Sequence, residues 1–148
     1  TEVGVFGHGY TYSGHPLGCA VASKVIDIYV RDKIFDHAAT VGDYLQGRLR
    51  AFADHPLVGE VRGRGLLAAL ELVPNKELEH QFQDGRVGGV AQKMAQDNGL
   101  LIRTVAGSSI GICPPLIISK NQVDELVDKL GDALDKTFEY CKTYNLLT

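Results

Sequence analysis

GHGYTYSGHPLGCAVA, residues Gly7 to Ala22, places glycine, hydroxyl and aromatic side chains directly before a proline and a helix-forming apolar stretch. Gly7, Gly9 and Gly14 open backbone conformations closed to other residues, and Thr11 and Ser13 supply hydroxyls. The amides of such a loop, with those of the first turn of the coming helix, lack partners and suit a phosphate or another anion. The alternative is a capped helix start, with Ser13 or His15 as the cap and Pro16 in the first turn. Tyr10, Tyr12, His8 and His15, crowded around the hydroxyls, favour a site.

Downstream of the loop the apolar residues take helical spacing. Leu17, Ala20, Val21, Val25, Ile28 and Tyr29 form one stripe; after a break at Arg31 to Lys33, Ile34, Ala38, Val41, Leu45, Leu49 and Phe52 form a second, closed by Pro56. Val58 to Arg62 and Leu66 to Val73 are expected as strands joined at Gly63 and Gly65. Gly63, Gly65 and Ala68 have the spacing of a dinucleotide-binding turn, but Leu66, Ala68, Leu70 and Leu72 alternate as in a strand, whereas that turn opens a helix. A polar loop follows from Pro74 to Gly85, then a helix over Arg86 to Asn98 with Asp84 as its cap and Gly99 beyond its end. Leu100 to Val105 and Ile110 to Cys113 are short strands of a hairpin. The last helix starts at Ser119, which has capping-box spacing to Gln122, and runs past Phe138.

The chain has 148 residues, 45% of them apolar, which suits one ordinary globular unit. A net charge of -3 and a pI near 5.9, with no basic run carrying aromatics, give no basis for nucleic-acid binding. No apolar run is long enough to span a bilayer, so no membrane partner is expected. Cys19, Cys113 and Cys141 are odd in number and far apart, which argues against a disulfide framework or structural zinc. The five histidines form no H-x-x-x-H or H-E-x-x-H pair, so no metal site is expected, and His37 and His55 are placed at helix surfaces or ends.

The segment HGYTYSGHPL, His8 to Leu17, resembles the H-G-x-T-[YF]-x-G-x-P-L signature of the class III aminotransferases, fold-type-I enzymes that use pyridoxal 5'-phosphate. VRGRGLLAALEL, Val61 to Leu72, is similar to that family's strand pair around R-G-x-G-L, and CPPLIIS, Cys113 to Ser119, to its entry into the last helix. The three occur in the family's order, and the likeness is weakest from Pro74 to Gly85. It implies an α/β fold: residues 1–54 end the large-domain region and form linker helices, and residues 55–148 form a small α/β domain with a short, largely antiparallel sheet.

By the resemblance, the Thr11 hydroxyl reaches the cofactor phosphate with Tyr10 beside it, and the loop serves the neighbouring subunit's site in a cytoplasmic homodimer. Arg103 corresponds to the arginine that, in amine:pyruvate and omega-amino acid transaminases, binds the keto-acid carboxylate and swings away for an uncharged amine. Ornithine-type members place an arginine where this chain has Gly111. The family's Schiff-base lysine lies upstream of the loop; Lys24, Lys33, Lys76, Lys93, Lys120, Lys129, Lys136 and Lys142 all fall at surface-like positions. No catalytic lysine is therefore expected in this chain, which begins at Thr1 and is read as the C-terminal part of a longer enzyme. Arg62 and Arg64 are either active-site cations or surface and interface residues. A decarboxylase, aminomutase or racemase on the same framework is the nearest alternative, and a non-catalytic anion-binding module is the alternative of another class.

Overall fold

The computed structural model describes residues 4, 7–77, 82 and 85–147, and the chain divides into two compact units, Thr1–Phe35 and Asp36–Thr148. In the first, α1 (Pro16–Arg31) starts with His15 as N-cap, its Nδ1 accepting the Gly18 amide at 3.4 Å, and with proline in its first turn. Capping, one of the two readings of the sequence, is thus what His15 does. Lys33, at φ 51°, turns the chain out of α1 while its amide bonds the Val30 carbonyl. None of α1's residues is buried, and Leu17, Val21 and Val30 are each more than half exposed.

The second unit is a four-stranded, wholly antiparallel sheet with helices on one face. Its strands are β1 (Val58–Arg64), β2 (Leu67–Leu72), β3 (Arg103–Val105) and β4 (Ser109–Ile112), in the order β1-β2-β4-β3. The alternation read from the sequence sets the inner face: Leu66, Ala68, Leu70 and Leu72 are buried, with Ile110 and Ile112 beside them. Onto that core pack Val41, Leu45 and Leu49 of α2 (Ile34–Arg50), Val87 and Ala91 of α3 (Arg86–Asp97), and Val123, Val127, Leu130 and Leu134 of α4 (Lys120–Thr143). A single 3-10 turn, Ala51–Asp54, follows α2 ahead of Pro56.

All four expected strands shift at an end: β1 runs on through Gly63 to Arg64, β2 is shortened to Leu67–Leu72, and the shifts of β3 and β4 each have a hydrogen-bonding reason. Leu100 to Ile102 do not enter the ladder, because the Leu100 amide bonds the Ala95 carbonyl and Gly99, at φ 74°, bonds that of Gln96. These two bonds are a Schellman closure of α3, so the strand starts only at Arg103. The β3–β4 turn carries Ala106 and Gly107 at positive φ and pairs Val105 with Ser109, so β4 begins one residue earlier than expected. Ser119 caps α4 with both halves of its capping box formed, as the spacing to Gln122 implies. The expected cap Asp84 lies outside the described residues; Gly85 occupies the N-cap of α3.

Side-chain bonds fasten α2 to α4. Arg48 pairs with Asp124 and, at 3.1 Å, with Asp128, while the Tyr44 hydroxyl donates to Asp124 at 2.6 Å. The two histidines placed at helix surfaces or ends are more embedded than that. His37 donates through Nε2 to the Ile118 carbonyl at 2.9 Å. The His55 side chain, only 11% exposed, accepts the Leu57 amide at Nδ1 and lies 3.3 Å from Asp135 at Nε2.

Candidate functional site

In the first unit, the loop before α1 is organised by its own hydroxyl. Ser13 Oγ accepts the Tyr10 amide at 2.9 Å and the Ser13 amide returns to the Tyr10 carbonyl at 2.9 Å, while the His15 amide bonds the Tyr12 carbonyl. Gly14, at φ 73°, is the residue that lets this turn close into the helix cap. Ser13 and His15 are therefore engaged in local structure. The Thr11 hydroxyl has no partner among the described residues, and no Cβ-sized neighbour approaches Gly7 or Gly9. The rings of Tyr10 and His8 meet edge-to-face at 5.2 Å and leave the Tyr10 ring exposed. The chemistry left free here, a hydroxyl on an open glycine-bounded turn, fits a phosphate oxygen.

In the second unit, the sheet face away from the helices carries the cations. Arg62, Ala69, Gly111 and Arg103 are register partners across β1, β2, β4 and β3, so two arginines bracket a floor of the two smallest side-chain types. The concavity over that floor has a volume of about 620 Å³, and Arg64, Leu67, Val105 and Cys113 also border it.

Its three arginines differ in state. Arg62 Nη1 donates to Glu71 and to Glu60, both at 2.8 Å, and the Glu71 hydrogen bond foremost raises its pKa further. Arg64 and Arg103 form no hydrogen bond or ion pair among the described residues. Arg62 is therefore a fixed member of an ion triad, and the free cations are Arg64 and Arg103. The triad was hidden in the sequence because Glu60 and Glu71 become neighbours only through the β1–β2 register. Gly111, noted only as an absent arginine, turns out to be the floor beneath Arg103.

The remaining chemistry-bearing residues stand apart from this face. Lys93, Lys129 and Lys142 pair with Asp97, Glu125 and Glu139 on their own helices, and Lys76 bonds the Ala53 carbonyl. Among the described residues no lysine lines the concavity. Among the described residues no group of three His, Cys, Asp or Glu is placed to hold a metal ion, and no helix is long and apolar enough to cross a membrane.

A four-stranded antiparallel sheet under helices, preceded by a glycine–hydroxyl loop at a helix start, is the C-terminal architecture of a fold-type-I transferase. Comparison with known proteins places it: residues 1–134 match the aminotransferase class-III family, and the chain belongs to that family. It is 47% identical over 135 residues to the putrescine--pyruvate aminotransferase of Pseudomonas aeruginosa, covering 90% of this chain and 29% of that protein. A probable mitochondrial gamma-aminobutyrate transaminase of Oryza sativa is 41% identical over 139 residues, covering 93% of this chain and 27% of its own length. An omega transaminase from Pseudomonas jessenii, solved in complex with PMP, superposes with a TM-score of 0.83 at 39% identity, over 94% of this chain and 31% of that one. The chain thus spans less than a third of the length of these relatives. Class III aminotransferases depend on pyridoxal 5'-phosphate.

Proposed function

We propose that this chain is the C-terminal portion of a pyridoxal-phosphate aminotransferase that moves an amino group from an amine or omega-amino acid to a keto acid such as pyruvate. The observation that carries the reading is Arg103, an uncommitted guanidinium at the edge of a small-floored concavity in a chain of this family. Arg103 binds the keto-acid carboxylate bidentately. Its place at the exposed start of the edge strand β3, three residues long, leaves the side chain free to turn away when an uncharged amine enters. Thr11 holds the cofactor phosphate through its free hydroxyl, and the Tyr10 ring lies beside it. The cofactor supplies the electron sink that makes amino transfer feasible.

In this reading residues 1–54 close the large-domain region and residues 55–148 form the small domain. The catalytic lysine is contributed by sequence outside this chain. The enzyme works as a cytoplasmic homodimer in which the Gly7 to Gly14 loop serves the neighbouring subunit's site.

Arg103→Ala in the full-length protein tests the assignment. Loss of a charge-assisted contact worth ~1.5–3 kcal/mol lowers kcat/KM for pyruvate by about ten- to a hundred-fold. The half-reaction with an uncharged amine and the melting temperature should stay near wild type. Equal losses with amine and keto acid place Arg103 in the scaffold instead.

A further inference from the structure

We propose that Gln46 is a positioning residue for the substrate site, its buried side-chain amide holding the β1–β2 turn so that Leu67 forms a fixed apolar wall for long-chain substrates. This rests on the amino-transfer reading above and extends it to chain-length specificity. Gln46 is buried on α2, the helix that packs Val41, Leu45 and Leu49 into the core. An amide at such a position is costly unless it is hydrogen-bonded. Its Nε2 donates to the Gly65 carbonyl at 2.8 Å and to the Leu67 carbonyl at 3.3 Å, so one side chain grips the turn at two points. Gly42, one helical turn earlier and on the same face of α2, lets the helix backbone touch Gly65.

The turn in its turn places Leu67. Arg64 and Leu67 are the last register pair of the hairpin, and of the two turn residues between them only Gly65 has positive φ. Leu67 is 64% exposed at the border of the concavity, an apolar side chain offered to that space rather than to the core. It stands on β2, two strand-to-strand steps of about 4.8 Å from the edge strand that carries Arg103. Gly111, on the strand between them, puts no side chain in the way. A short acid held at Arg103 ends before the wall, whereas the methylenes of a longer one cross Gly111 and meet Leu67. Without Gln46 the two turn carbonyls lose this donor and the wall loosens, while Arg103, on another strand, keeps its place.

The test is equilibrium binding of hexanoate and of acetate, equal in charge and different in length, to the full-length protein. Wild type should bind hexanoate at least about ten-fold more tightly, as expected for methylenes taken out of water. Gln46→Leu, which keeps the bulk and removes the donors, should cut that preference at least about five-fold and leave acetate affinity within about two-fold of wild type. Leu67→Ala, a change at an exposed position that leaves the core intact, should cut it likewise. Val127→Ala, which weakens the packing of α4 on the core without touching the turn, should leave it unchanged. A wild-type preference near one, a preference unchanged in Gln46→Leu or in Leu67→Ala, or an equal fall in Val127→Ala overturns the proposal. So does a loss of acetate affinity in Gln46→Leu as large as that of hexanoate. The kcat/KM for 6-aminohexanoate relative to pyruvate should fall with the binding preference in Gln46→Leu. Absence of amino transfer with either substrate, with the binding preference behaving as stated, overturns the transaminase reading and leaves the Gln46 assignment standing.

Discussion

Gly42 on α2 and Gly65 in the β1–β2 turn are in backbone contact: a Cβ added at Gly42 would stand 2.5 Å from the Gly65 Cα. Gly65 itself sits at φ 56°, a conformation that glycine adopts without strain. The contact lets Gln46 reach the Gly65 carbonyl, and so sets the height of the turn that carries Arg64 on the open face.

Gly42→Ala should therefore destabilise the fold. An alanine in mid-helix gains about 0.5–1 kcal/mol in propensity, but overpacking against backbone that cannot swing aside costs about 1–3 kcal/mol, so the clash wins. Gly47, five residues on in the same helix with open space around it, supplies the control, and Gly47→Ala should stabilise. Denaturant midpoints of the two variants should move in opposite directions.

Thr11→Ala should weaken retention of pyridoxal phosphate by the full-length protein. Removing one hydrogen bond to a charged acceptor corresponds to about ten- to a hundred-fold in affinity. Cofactor titration by absorbance measures it, and an unchanged affinity would return Thr11 to the role of a loop residue.

Folding stability should decrease on acidification through His55. Burial is the main cause that lowers its pKa from 6.5, with the Asp135 hydrogen bond partly opposing it, and its Nδ1 must stay unprotonated to accept the Leu57 amide. The unfolded chain then binds more protons than the folded one as pH falls below about 6.5, so the stability present above that pH is lost. Urea unfolding at pH 7.5 and 5.5 should show a larger drop for wild type than for His55→Asn.

Cys141 should resist thiol reagents that modify Cys19 and Cys113. Cys19 and Cys113 are exposed, whereas Cys141 is fully buried on the inner side of α4 and its thiol is pushed by burial from 9.0 up to about 11. A native titration should count two fast thiols and release the third on unfolding. Since the folded state keeps its proton longer, stability should also fall as pH rises from about 9 towards 11. That slope should be smaller in Cys141→Ala.

Local chemistry accounts for what was legible along the chain. The capping box at Ser119, the glycine beyond α3 and the alternation from Leu66 to Leu72 each act within a few residues, so they could be read from spacing alone. The same holds for the loop before α1, where glycines and hydroxyls mark an anion-compatible turn. Ser13 and His15 were alternative caps in the sequence, and the backbone geometry gave the cap to His15 and a turn bond to Ser13.

The amino-acid sequence by itself determined the family, the order of helices and strands, and Thr11, Tyr10 and Arg103 as the residues to inspect. Only the tertiary structure decided which cations are free. Register brings Glu60 and Glu71 onto Arg62, and the same register puts Arg103 beside Gly111 and opens the floor between Arg103 and Arg64. Such pairings join residues that are distant along the chain, and they follow from how the strands align rather than from any local preference.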